Sequence, residues 1–448
     1  MSRETTTDLY EVTMALSYLR EGMAQPATFD LFVRDLPPER GFLVVAGVEH
    51  VVDYLTDYRL GSEQIQGFAS VLHRPPEDLE PLLGITFDGD VRAVPEGRVV
   101  LGGEPVLEVT APLPVAQLVE SYVLNQISHQ TALASKAARC VLAAEGHPVV
   151  DFSLRRTHGI EAAAHAARAG AITGFSATSN VAAAVELGLP AVGTMAHSYI
   201  EAFGPEEAAF RAFADAHPGP VTFLVDTYQT EQGVRTAAQL LRSLDDATGS
   251  GSAIRLDSGN LEEEARRARS ILDAHGLPEV RIVVSGGLDE YAIDDLVRAG
   301  APVDVYAVGT RVGVSADAPY LDTAYKLVAY GDRPVMKLST GKVTAPGPKQ
   351  VFRRNGCEDV VALAEEAAPA GSRPLLHPVV RKGTRIGPAP GLQHIRERCA
   401  ADVAALPEEA RRVTGPTPLH SSTSPRLRAL TDRVRRHIRD AYLPDASL

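Results

Sequence analysis

The chain has 448 residues, 45% of them hydrophobic, enough for a sizeable core and for two or three domains. Its formal net charge of −13 argues against a general nucleic-acid binder, because counterion release needs a basic face that 44 Lys and Arg against 57 Asp and Glu do not supply. Three widely spaced cysteines, Cys140, Cys357 and Cys399, form no C-x-x-C pair, which argues against a structural zinc site or disulfide framework and suits a reducing cytoplasm.

The opening "MSRETTTDLYEVTMALSYLREG" has no basic segment followed by a long apolar run, so neither a targeting peptide nor a membrane segment is expected. Residues 1–115 combine a helix over 8–21 with strand-like runs such as "ATFDLFVRDL" and "RVVLGGEPVLEVTAP", an α+β texture. A long helical pattern runs from 116 to 146. Short apolar runs follow at 149–152, 171–175, 191–194, 221–227, 253–259, 281–287 and 303–310. Helical stretches lie among them at 160–169, 180–188, 205–217, 231–245, 260–275 and 289–299. This βα repetition predicts a closed or nearly closed parallel barrel, with a doubly wound open sheet as the alternative. Beyond it, "PVMKLSTGKVTAPGPKQVFRR" reads as two strands around a Gly turn that complete the first lobe. A helical tail over 391–443 is broken by "GPTPLHSSTSPR".

In parallel α/β architectures functional groups collect at the C-terminal ends of the strands. Here each run ends in polar residues or glycine: "DFSLRRTHG", "SATSN", "TMAHS", "DTYQT", "RLDSGN", "SGGLDE" and "GTRVG". The glycines of "SGG" and "VGT" allow close backbone approach to a phosphate, or make tight βα turns. Arg255 and Asp257 suit a phosphate together with ribose hydroxyls or magnesium, or pair with each other in a salt bridge. Asp226 shares that divalent cation or caps the next helix through itself or Thr227. Arg155 and Arg156, beside Phe152, suit a carboxylated aromatic ring, because guanidinium offers carboxylate a planar fork. His197, at the same mouth, is a base, a ligand or a nucleophile toward a phosphoryl group; composition does not choose among these.

The ordered motifs "TDLYEVTMALSYLREG", "DFSLRRTHG", "GFSATSNVAAA", "GTMAHSYIEAF", "LVDTYQT", "IRLDSGNL", "VSGGLDEYAI", "VYAVGTRVGVSADAPYLDTAYKLV" and "PVMKLSTGKVTAPGPKQVFR" resemble the nicotinate phosphoribosyltransferase family over residues 5–354. The resemblance implies an irregular TIM-like α/β barrel over 116–330. It also implies a second α+β domain built from 1–115 and 331–448, the latter including the helical tail. The implied reaction joins nicotinate to 5-phosphoribosyl 1-pyrophosphate, giving nicotinate mononucleotide and pyrophosphate. It is coupled to ATP hydrolysis, requires Mg2+, and forms the entry step of NAD salvage. A cytoplasmic homodimer with shared active sites is implied, with no nucleic-acid or membrane partner.

By motif, His197 matches the transiently phosphorylated histidine, with Ser198 supporting the site. Tyr10 matches the ring that stacks on the pyridine from the neighbouring subunit, and Phe152 the ring on its other face. Arg155 matches the carboxylate contact, with Arg156 as helper. Arg255 and Asp257 match ribose and pyrophosphate contacts; Asp226 and Asp257 remain the magnesium candidates read from the strand ends. Gly286, Gly287, Gly309 and Thr310 match the phosphate cradle. Ser179 stands where the related nicotinamide enzyme resembles an aspartate, which favours nicotinate over nicotinamide. Quinolinate phosphoribosyltransferase ranks third, since that enzyme lacks the ATP-linked histidine. A silent nucleotide-binding relative is disfavoured by the presence of His197, Arg255 and Asp257. A barrel aldolase or isomerase is disfavoured by the absence of lysine from these loops. Arg40, Lys337 and Lys342 reach ATP or pyrophosphate phosphates from a partner subunit or are simply solvated at the surface, and His158 lies near the site.

Overall fold

Alternation with a period of two turns the apolar runs of residues 149–308 into short strands with two buried faces. The computed structural model describes residues 3–244, 251–339 and 344–442. The chain divides into two units, one formed by Leu133–Pro319 with Val413–Gly415, the other by the residues up to Ala132, Tyr320–Arg412 and those from Pro416 onward.

The first of these units carries the strands β1 (Val149–Asp151), β2 (Ala177–Thr178), β3 (Thr222–Leu224), β4 (Ala253–Leu256), β5 (Arg281–Val284) and β6 (Val305–Val308). They pair in the order β2-β1-β6-β5-β4-β3, every pair parallel. Around them lie α1 (Ile160–Thr173), α2 (Val181–Leu187), α3 (His197–Phe203), α4 (Glu206–Ala216), α5 (Thr230–Leu241), α6 (Leu261–Ala274) and α7 (Glu290–Arg298). Phe223, Ile254, Leu256, Ile282, Val284, Tyr306 and Val308 belong to the larger cluster that the helices help to form. Val150, Ala177, Ala253, Val283, Val305 and Ala307 form a small inner cluster of their own, as expected of strands buried on both faces.

Two of the expected strands are corrected. Residues 171–175 largely continue α1, because the Ala-rich segment stays helical to Thr173. Gly174, at φ +121°, then ends it, and Phe175 folds back so closely that a Cβ on Gly170 would lie 2.6 Å from its ring. Strand β2 begins only at Ala177. Residues 191–194 give a single parallel bridge, Thr178 to Ala191. The sheet is thus a half-barrel, and among the described residues no ladder joins Ala191 to β3.

The second unit is built on a seven-stranded sheet. Its order is Arg333–Pro334, Thr323–Tyr330, Pro26–Val33, Pro105–Pro112, Asp90–Ala93, His377–Arg381 and Thr384–Arg385. Strands from both ends of the chain therefore share one sheet, paired antiparallel throughout. Phe29 and Tyr325, from neighbouring strands, stack at 4.7 Å in its core. The predicted N-terminal helix is Leu9–Arg20. Two further helices, Val48–Asp57 and Ser62–Leu72, were not foreseen. The expected tail resolves into Leu392–Ala404, Glu408–Arg411 and Pro425–Tyr442; residue 443 lies outside the described residues, as does residue 245 at the end of another expected helix. No described helix is long and apolar enough to cross a membrane.

Candidate active site

The inner-face parity of the strands continues past their ends. Residues 150, 253, 283 and 307 face inward, so the same parity carries Phe152, Arg255, Asp257, Ser285 and Gly309 to one end of that face. There the side chains interlock. The Arg255 guanidinium, 8% exposed, donates from Nε to Ser285 Oγ (2.8 Å), from one terminal nitrogen to Thr194 Oγ1 (2.8 Å) and from the other to Asp257 Oδ1 (2.6 Å). Ser285 in turn donates to the same Asp257 oxygen at 2.5 Å. The salt bridge between Arg255 and Asp257 is therefore present, and Arg255 is shared among Asp257, Ser285 and Thr194. Its guanidinium carbon also lies 5.6 Å from the centroid of the Phe152 ring, a cation–π arrangement. Burial alone would raise the Asp257 carboxyl. The hydrogen bonds from Ser285 and Arg255, and the positive charge of Arg255, outweigh it and hold the group below the ordinary carboxylate value.

His197 opens α3, its side chain 40% exposed. Its Nδ1 is 3.1 Å from Thr227 Oγ1, and its Nε2 is 4.0 Å from Asp257 Oδ2. With Nδ1 donating to the threonine, the Nε2 lone pair is left available for chemistry.

Asp226 does not cap the following helix. The N-cap of α5 is Gln229, which makes no side-chain capping bond. Instead, Asp226 Oδ2 accepts from the Asp257 backbone N–H (2.8 Å) and from Ser258 Oγ (2.6 Å), clasping the loop after β4. Its Oδ1 is buried with no hydrogen-bond partner. That orphan oxygen, with Asp257 Oδ2 facing His197, fits a hard cation such as magnesium, which takes oxygen ligands. Among the described residues no cluster of three or more His, Cys, Asp or Glu forms a protein-only metal cage. A cation here would take its remaining ligands from water and phosphate.

The glycines divide by role. A Cβ on Gly286, at φ +93°, would lie 2.0 Å from the Asp257 carbonyl oxygen, so this glycine lets two strand-end loops touch. Gly287, at φ +73°, faces open space. Gly309 abuts the Phe152 carbonyl, and exposed Thr310 begins the one-turn helix Thr310–Gly313. Ser179 donates its N–H to the Asp151 carbonyl and is half-buried. Ser198 is exposed beside His197. Arg155 and Arg156, in the short turn Leu154–Arg156, and His158 are all exposed.

Tyr10, 46% exposed, belongs to the other unit. So does Arg40, which is corrected from its expected surface role: it is fully buried and donates to the Ala132 carbonyl at 3.0 Å. Lys337 is exposed, and Lys342 lies outside the described residues. The sequence reading passed over Thr194, Ser258 and Ser285 as individual residues, although each stands in a strand-end loop. Nothing in their spacing marks them. Buried Asp151 was also missed; it accepts from Thr178 Oγ1 (2.6 Å) and the Ser153 N–H (2.9 Å), fixing the loop that carries Phe152.

Three family models cover the chain: the nicotinate phosphoribosyltransferase (NAPRTase) N-terminal domain at residues 5–128, the NAPRTase family at 148–309 and the C-terminal domain at 362–431. Nicotinate phosphoribosyltransferase pncB2 of Mycobacterium tuberculosis (strain ATCC 25618 / H37Rv) is 45% identical over 410 residues, covering 90% of this chain and 88% of its own. Nicotinate phosphoribosyltransferase of Bacillus subtilis (strain 168) is 36% identical, covering 83% and 79%. The crystal structure of human nicotinic acid phosphoribosyltransferase superposes with a TM-score of 0.83 at 30% identity, covering 96% of this chain and 99% of that one. With sequence and fold in agreement, the chain belongs to the nicotinate phosphoribosyltransferase family of enzymes.

Proposed function

We propose that the protein forms nicotinate mononucleotide from nicotinate and 5-phosphoribosyl 1-pyrophosphate, as an entry step of NAD salvage, with ATP hydrolysis coupled through a phosphohistidine at His197. The observation that carries the reading is the placement of His197, held by Thr227 at Nδ1 and facing Asp257 with Nε2, in a chain of this family. The ring nitrogen of nicotinate supplies its lone pair to the anomeric carbon as the carbon–oxygen bond to pyrophosphate breaks, the leaving group keeping both electrons. Little acid–base work is required. Catalysis comes from positioning, stabilisation of developing charge and exclusion of water.

In this reading Phe152 offers a face to the pyridine, Arg155 and Arg156 attract its carboxylate, and Ser179 avoids the repulsion that an aspartate would impose. Asp257, oriented by Arg255 and Ser285, accepts from ribose hydroxyls, while Gly286, Gly287, Gly309 and Thr310 receive phosphate. Asp226 and Asp257 would hold magnesium, which neutralises pyrophosphate charge. The γ-phosphoryl group of ATP passes to His197 Nε2, and water later cleaves the phosphohistidine to phosphate. A cytoplasmic homodimer, with Tyr10 of the neighbouring subunit closing over the ring, completes the reading.

The test is an assay with phosphoribosyl pyrophosphate and magnesium, crossing nicotinate or nicotinamide with and without ATP, and reading mononucleotide and ADP together. Nicotinate mononucleotide with ADP, and an ATP benefit lost in His197→Ala, is expected. Product from nicotinamide instead overturns the role of Ser179, and no product from either ring overturns the reading.

A further inference from the structure

Glu206, which no motif singled out, is the first residue of α4 and only 9% exposed. Four residues on, Phe210 stacks on Phe223 of β3 at 4.8 Å, with both rings fully buried. Residues four apart share a helix face. A helix that leads back into a parallel strand presents its N-terminus at that strand's C-terminal end. The Phe210–Phe223 contact thus sets Glu206, one turn earlier, toward the segment that follows β3, where Asp226 stands. The electrostatics agree: burial first, and then the negative charge of Asp226, push the Glu206 carboxyl above its ordinary value.

Two buried oxygens meet this description without a hydrogen-bond donor, Glu206 Oε1 and Asp226 Oδ1. Buried carboxylate oxygens rarely remain unsatisfied, and each such orphan calls for a missing partner. The preceding residue Pro205 makes no side-chain cap, and neighbouring Glu207 is exposed and paired with Arg211 at 3.1 Å. Glu206 therefore stands apart from the ordinary surface charge of a helix start.

We infer that Glu206 is a further carboxylate ligand of the divalent-cation site beside His197, Glu206 Oε1 joining Asp226 Oδ1 there. This deepens the magnesium part of the proposed function and adds a ligand that the strand-end motifs do not contain. Two carboxylates with water and substrate phosphate oxygens are the usual surroundings of magnesium at phosphate-handling sites. Asp226 links the cation to the rest of the centre. Its other oxygen holds the Asp257 N–H, and the next residue, Thr227, holds the His197 ring. The cation is thereby tied both to the phosphoryl acceptor and to the ribose-binding loop.

The experiment is a Mn2+ titration of the full-length protein, read as loss of the free aquo-ion signal by electron paramagnetic resonance. Wild type takes up Mn2+ saturably, and Glu206→Gln, which keeps the shape and removes the charge, weakens this uptake by about tenfold or more. Glu207→Gln, the same charge change one residue along, binds as wild type, and Glu206→Asp, which keeps a carboxylate, binds more tightly than Glu206→Gln. No saturable uptake by wild type, or equal uptake by Glu206→Gln and Glu207→Gln, overturns the inference. Nicotinate mononucleotide formation, followed in parallel, separates the two claims. Product formation with Mn2+ uptake indifferent to Glu206 sinks the cation site alone. Uptake dependent on Glu206 without product supports the site and sinks the functional reading.

Discussion

Ser285 is the smallest change that tests whether the buried network, and not only its charged members, shapes the site. Its hydroxyl accepts from Arg255 Nε at 2.8 Å and donates to Asp257 Oδ1 at 2.5 Å, and the residue is 3% exposed. Ser285→Ala removes both bonds at once. Each involves an ionised partner, so each contributes about 1.5–3 kcal/mol, and the buried position leaves water little access to replace them. If one bond's worth is expressed in the orientation of Asp257 at the transition state, kcat/KM falls about ten- to a hundredfold. The pH profile carries the sharper signature. Asp257 is held below its ordinary value partly by the Ser285 donor, so losing that donor moves the carboxyl upward. The ionised form is lost as pH falls, and a raised carboxyl loses it sooner. The acid limb of kcat/KM should therefore shift to higher pH in Ser285→Ala, measured by product formation across the acidic range. A variant with wild-type kcat/KM and an unmoved acid limb would refute the argument.

Two stability predictions rest on different physics. Gly286→Ala sets a left-handed backbone at φ +93° against a carbonyl 2.0 Å away, whereas Gly287→Ala carries only the left-handed cost at φ +73° in open space, about 1–2 kcal/mol. Thermal melting should show the Gly286 variant clearly less stable than the Gly287 variant; equal Tm values would contradict the contact. In the other unit, burial raises the Glu11 carboxyl to about 7, against the lowering effect of hydrogen bonds from Ser121 and Thr7. A carboxyl raised in the folded state binds more protons there than when unfolded. Its unfavourable term is thus absent below the unfolded value near 4.5 and grows to on the order of 3 kcal/mol as pH rises through 7. Glu11→Gln should therefore gain stability over wild type as pH is raised from 5 to 8. Parallel Tm curves for the two proteins would rule this out.

Much of the chemistry was legible in the sequence because strand-end loops are contiguous. The segments "TMAHS", "DTYQT" and "RLDSGN" each announced a polar turn, and a period of two in "AIRLDSG" puts Arg255 and Asp257 on one face without any tertiary information. The βα rhythm likewise foretold a parallel sheet. It misplaced the second strand because an apolar Ala-rich run satisfies helix and strand alike, and Gly174, with Phe175 packed back on Gly170, decides where the helix stops.

What the sequence could not hold is which groups answer one another across strands. Ser285 reaches Arg255 over 30 positions, Asp226 reaches the Asp257 N–H over 31, and His197 finds Thr227 over 30. Arg40 appeared as a surface cation until burial removed it from solvent, and nothing in the sequence marked Glu206, whose place follows from Phe210 meeting Phe223. Local pattern determined the elements and the kinds of residue at their ends, since both follow from neighbours along the chain. Tertiary structure alone decided the donors, the orphan oxygens and the burial, because each depends on residues that are distant in sequence and brought together only by the sheet.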